Sequence, residues 1–128
     1  MRLLLDTHAL LWWLADDSLL TAPARKAIAH KNNIVIVSAA SAWEISTKVR
    51  LGRLETAAGL AANFATYLAQ EQFDSLPISI EHGIRAGSLP GAHKDPFDRM
   101  LAAQAQAENL TMISNESVFD SYGLRRIW

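Results

Sequence analysis

Met1-Arg2-Leu3-Leu4-Leu5-Asp6-Thr7-His8 is the stretch that decides how this chain is built. Three consecutive leucines are too few for a helix but suit a strand buried on both faces, and the run stops at a carboxylate. Ala9, Leu10, Trp13 and Leu14 then fall at helical spacing, so the strand is followed at once by a helix. Asp6 therefore stands at the carboxyl end of a predicted parallel strand, where open α/β sheets bind ligands. Aspartate is also a favoured N-cap, and this stretch alone leaves both roles open.

Outward from it, strand and helix signals alternate. Ile34-Val35-Ile36-Val37 is a β-branched run and the second predicted strand. A short third strand is expected around Leu76 to Ile78, a fourth over Leu110 to Ile113, and a terminal edge strand over Leu124 to Trp128. Between them, Thr21 and Pro23 open a helix that ends near Asn33, and Ser38 to about Arg50 reads as a helix with Ala42, Ile45, Ser46 and Val49 inward, stopped by Gly52. Further helices are expected over Thr56 to Glu71 on Leu60, Phe64 and Leu68, over Glu81 to Leu89, and from Asp95-Pro96 to Glu108, with a short helical turn at Ser117 to Tyr122. This alternation predicts an α/β fold: a mainly parallel sheet of four or five strands with helices on both faces.

At 128 residues the chain reads as one domain, residues 1–128, with half its residues hydrophobic. No apolar run approaches the roughly 18 residues of a membrane span, and Asp6 interrupts the one early apolar stretch that a signal peptide would need. The absence of cysteine leaves oxygen or histidine as the only metal ligands and fits a cytosolic protein. The net charge is -1, yet if Asp6, Glu44, Asp95, Asp98 and Glu116 form a cation-neutralised cluster, 8 of the 13 acids remain against 12 Lys and Arg. That balance permits attraction to phosphate.

Those five acids are the candidate constellation. Asp6 and Glu116 follow strands one and four, and Glu44 lies early in the helix after strand two, so a parallel sheet carries all three to one edge. Asp95 and Asp98 join them only if their helix also starts there, and the stretch from Ile80 to Lys94 is long enough to bring the chain across. Each acid has a plainer role: Glu44 could pair with Lys48 at i+4, Asp95 could cap its helix with Pro96 at N1, and Glu116 could be turn chemistry. Together, uncompensated carboxylates repel and call for a cation, and several oxygen donors suit Mg²⁺ or Mn²⁺. The reaction class this implies is metal-assisted phosphodiester hydrolysis. His93 and Lys94 beside Asp95 are phosphate-contact candidates, while Trp12, Trp13, Trp43 and Trp128 read as core or interface. No His-Glu-x-x-His pattern or glycine-rich phosphate loop is present.

Leu3-Leu4-Leu5-Asp6-Thr7-His8-Ala9-Leu10, Ser41-Ala42-Trp43-Glu44-Ile45, Asp95-Pro96-Phe97-Asp98-Arg99-Met100-Leu101-Ala102 and Ile113-Ser114-Asn115-Glu116, in this order, together resemble a PIN domain of the VapC toxin type. The resemblance implies a three-layer PIN fold, a Mg²⁺ or Mn²⁺ pocket and endoribonuclease activity. It further implies a toxin role in a type II toxin-antitoxin pair, a VapB-like antitoxin partner and a homodimer. By motif, Asp6, Glu44 and Asp98 are the first, second and third acidic ligands, Asp95 is an added acidic group, and Ser114 holds the Asp6 carboxylate with Thr7 also in support. Glu116 stands where the pattern usually has Asp, which favours a water-mediated role. Lys94 and Arg99 are the expected RNA contacts.

Two rival readings differ in class. An aspartyl-phosphate phosphatase would carry a second Asp where His8 stands. A catalytically degenerate RNA- or partner-binding module would keep the fold and lose the chemistry.

Overall fold

The computed structural model describes residues 1–128 and contains five strands, all parallel, in the order β3-β2-β1-β4-β5. The leucine run forms β1 (Arg2–Leu5) at the centre, flanked by β2 (Ile34–Ser38) and β4 (Thr111–Ile113). In register, Leu3 lies beside Val35 and Thr111, and Leu5 beside Val37 and Ile113. The edges are β3 (Asp74–Leu76) and β5 (Arg126–Ile127).

The period of two along β1 makes the three layers. Leu3 and Leu5 enter one core with Ala9 and Leu10 of α1 (Thr7–Leu14), Ala24 and Ile28 of α2 (Ala22–Ala29), and Ile45 of α3 (Ala39–Arg50). Leu60 of α4 (Ala58–Ala62) and Leu68 of α5 (Phe64–Glu71) complete that face. Leu4, Ile36 and Met112 point the other way, onto Leu101, Ala102 and Ala105 of α7 (Pro96–Glu108) and onto Phe119. Burying such side chains is worth roughly 1.5–3 kcal/mol each, which is why an uninterrupted apolar run is held at the sheet centre.

Several boundaries depart from expectation. The third strand is Asp74–Leu76, displaced toward the amino end because Pro77 follows and has no N–H for a ladder. The expected Thr56–Glu71 helix is three pieces, a 3-10 turn (Glu55–Ala57) followed by α4 and α5, with the break at Asn63, whose side-chain amide donates back to the Gly59 carbonyl. In α3 the buried residues are Ala40, Ser41, Glu44 and Ile45, whereas Ser46 is exposed, so the inward face is rotated from the expected stripe. Trp43 is 59% exposed and packs edge-on against Phe97, 4.8 Å between ring centres, so it covers the α3–α7 seam from outside.

α6 (Ile80–Ser88) makes the crossing that the third acidic motif requires. It lies antiparallel to α7: His82 near its start meets Gln104 and Glu108, while Ala86 and Leu89 near its end meet Arg99 in the first turn of α7. The chain is thus brought round so that α7 begins at the carboxyl edge of the sheet. There is no helix long and apolar enough to cross a membrane.

Candidate active site

Asp6 follows the last residue of β1 and caps α1, accepting the Ala9 N–H at 2.7 Å. It is 3% exposed and is both of the things the sequence allowed, a cap and a member of an acidic group. Burial pushes its carboxyl above the ordinary range; the Ser114 hydroxyl, the Ala9 amide and the charge of His8 pull it down, and Glu116 pushes it up again. Ser114, fully buried at the end of β4, also accepts the Glu116 N–H at 2.9 Å and so ties that turn to the Asp6 carboxylate.

Asp98 lies in the first turn of α7, and its carboxyl is pushed up to about 6. Burial is the main cause, a hydrogen bond from His93 opposes it, and the carboxylates of Asp95 and Asp6 raise it further. The charge of Asp6, at the end of β1, is thus felt at the start of α7. Asp95 caps α7, its Oδ1 accepting from Phe97 N at 2.9 Å and Asp98 N at 3.2 Å. Cap and dipole favour acids there, while the acids disfavour one another.

Glu44 is buried one and a half turns into α3. Thr7 Oγ1 donates to its Oε1 at 2.6 Å and Lys48 Nζ to its Oε2 at 2.6 Å, while Thr7 Oγ1 also lies 3.0 Å from Ser41 Oγ. The i+4 pair foreseen as a surface contact is real, but one member is buried and its charge is met by a half-exposed lysine. Glu116 is exposed.

The five acids thus share one end of the sheet. No three of these side chains converge closely enough to ligate a single ion as they stand, because Glu44 is turned to Thr7 and Lys48 and Asp98 to His93. The donor set nevertheless fits a hard divalent cation: a buried and a half-buried carboxyl whose ionisation is held back chiefly by burial, and further by neighbouring carboxylates, are what a bound cation relieves.

A family model for the PIN domain matches residues 3–124. The chain belongs to the PIN domain family. Among curated protein sequences none matches it significantly. Among solved structures, the PIN domain here is similar to a chain of VapBC2 from Rickettsia felis bound to a DNA fragment from their promoter, with TM-score 0.72, 19% identity, and coverage of 98% of this chain and 97% of that one. VapBC-1 from nontypeable Haemophilus influenzae aligns with TM-score 0.62 and 16% identity over 98% and 96% of the two chains. A toxin-antitoxin complex from Klebsiella pneumoniae aligns at 0.56 and 19% over 89% and 86%. At such identities the likeness is one of fold.

Around the acids, Arg99 of the PIN domain has a structural role that the sequence did not disclose. Its guanidinium donates to the carbonyls of Ala86, Leu89 and His93, so it ties the end of α6 and the loop after it to the first turn of α7. Lys94 is exposed on that loop. His93 Nε2 sits 3.1 Å from Asp98 Oδ2, a pairing that sequence reasoning missed because a loop fold creates it. Ser41 was likewise missed as the Thr7 partner, although it stands in the Ser41-Ala42-Trp43-Glu44 motif.

Proposed function

We propose that this PIN domain is a metal-dependent endoribonuclease of the VapC type, hydrolysing RNA phosphodiester bonds as the toxin of a type II toxin-antitoxin pair. The observation that carries the proposal is that buried Asp6 and half-buried Asp98, two carboxyls with raised affinity for protons, stand at the carboxyl edge of the sheet. Asp6, Glu44 and Asp98 would hold Mg²⁺ or Mn²⁺, with Asp95 and Glu116 tuning the site or holding a second ion. When bound, such a cation supplies an activated water and neutralises charge on the phosphoryl oxygen.

The chain's own residues do the positioning. Ser114 and the Ala9 amide hold the Asp6 carboxylate, and Thr7 fixes Glu44 through a 2.6 Å hydrogen bond. His93 sets the charge around Asp98, and exposed Lys94 is the cation offered to an RNA phosphate. Arg99 keeps the loop bearing both residues in place. A VapB-like antitoxin is the partner this reading implies, in keeping with the toxin-antitoxin complex of similar fold. A second copy of the chain is the other, supported by Ile80 and Ile84, 85% and 67% exposed on one face of α6.

The degenerate binding module draws on the Lys48–Glu44 pair, which already neutralises one candidate ligand. Cleavage of a mixed RNA pool by the purified protein separates the two. The nuclease reading expects cutting with Mg²⁺ or Mn²⁺ and none in chelator or in Asp6→Asn. Undiminished cutting by Asp6→Asn would refute it, and RNA binding without metal or cleavage would favour the module. Growth arrest on expression, relieved by Asp6→Asn, tests the toxin role.

A further inference from the structure

The opposite end of the sheet holds a polar cavity, of about 490 Å³, at the starts of β1 and β4 and just before β5. Arg2, Arg85 and Arg125 line it together with Tyr122, Thr111 and Gln106. Arg2 spends one N–H on the Glu108 carbonyl at 2.9 Å and meets no carboxylate; Arg125 also stands outside every ion pair of the chain. Arg85 touches Glu81 at 3.4 Å through its outer nitrogen only, and the carboxylate of Glu108 is turned to His82 at 3.5 Å. The cavity is therefore cationic, roughly a strand length, about 13 Å, from Asp6.

Arg85 Nε and Tyr122 Oη are buried behind the lining and lack a hydrogen-bond partner, so it is the outer part of the Arg85 side chain that faces solvent. Guanidinium nitrogens can only donate, so a ligand of this cavity must bring acceptors. Guanidinium groups recognise phosphate by several short charge-assisted bonds, and a phosphate offers enough oxygens to meet three arginines at once. We propose that this cavity is a binding site for a phosphate monoester or inorganic phosphate, separate from the acidic edge.

The test is isothermal titration of inorganic phosphate, and in parallel of AMP, into the whole chain at constant ionic strength. Arg2→Met and the pair Arg85→Met with Arg125→Ala are the variants, with circular dichroism to show that each is folded. The expected result is one saturable site per chain, weakened about tenfold or more by either variant, since each loses charge-assisted hydrogen bonds. Tighter binding of AMP would identify a nucleotide as the ligand, and equal binding the free anion; both support the site. Absence of saturable binding, or affinity unchanged in Arg2→Met and in the arginine pair, would overturn it. So would displacement of phosphate by an RNA oligonucleotide lacking terminal phosphates, which would make this a strand-binding surface instead.

Discussion

Asp98→Asn should stabilise the metal-free protein at neutral pH while abolishing cleavage. The Asp98 carboxyl is pushed from 3.8 to about 6, chiefly by burial, so ionising it costs the folded state more than the unfolded one. Each pKa unit is 1.36 kcal/mol, which makes the cost about 3 kcal/mol before solvent screening of this partly accessible group and about 2 kcal/mol after it. The sign follows from proton counting. Between about pH 4 and pH 6 the native state holds a proton that the unfolded chain has released, so stability falls as pH rises through that window and the cost is complete above it. Asparagine removes the ionisation and keeps an acceptor for His93. Urea unfolding in chelator should therefore place Asp98→Asn above wild type by about 2 kcal/mol at pH 7.5, shrinking to a few tenths at pH 4. Adding Mn²⁺ should reverse the order, because a ligand that binds only the native wild type stabilises it by mass action. An Asp98→Asn protein less stable than wild type at pH 7.5 in chelator would refute the reasoning.

Other expectations follow from single contacts. Thr7→Val removes the hydroxyl that donates to Glu44 and meets Ser41; leaving a buried carboxylate one partner short should cost about 1–3 kcal/mol by urea unfolding and reduce cleavage, whereas Thr7→Ser should retain both. Arg99→Ala frees the carbonyl of Ala86 in α6 and those of Leu89 and His93 in the loop before α7, and limited proteolysis should then cut between Leu89 and Asp95 much faster than in wild type, at a stability loss of about 2 kcal/mol. Unchanged proteolysis would deny Arg99 its bracing role.

What the sequence discloses is what local chemistry decides. The three leucines before Asp6 are enough for a central strand, because alternate residues of such a run serve cores on two faces. The Asp95 cap was legible for the same reason, since cap, Pro96 and first-turn Asp98 are neighbours in the chain. The inward face of α3 was not. Helical spacing selects Ala42, Ile45, Ser46 and Val49, whereas the buried face includes Ser41 and Glu44, which tolerate burial because Thr7 and Lys48 meet them. A polar residue's burial is decided by partners far away in sequence, and hydrophobic periodicity carries no record of them. The bracing by Arg99 and the His93–Asp98 contact were illegible for the same reason, as only the folded loop brings carbonyls to one and Asp98 to the other.

The central claim is that the carboxylates at the carboxyl edge of the sheet form a metal centre, and calorimetric titration of Mn²⁺ into the purified protein tests it most directly. Wild type should bind Mn²⁺ saturably near neutral pH and release protons from the Asp98 region as it does so, and Asp6→Asn and Asp98→Asn should each weaken binding by about tenfold or more while remaining folded. Mn²⁺ affinity unaltered by both substitutions, or no binding to the folded wild type, would contradict the account.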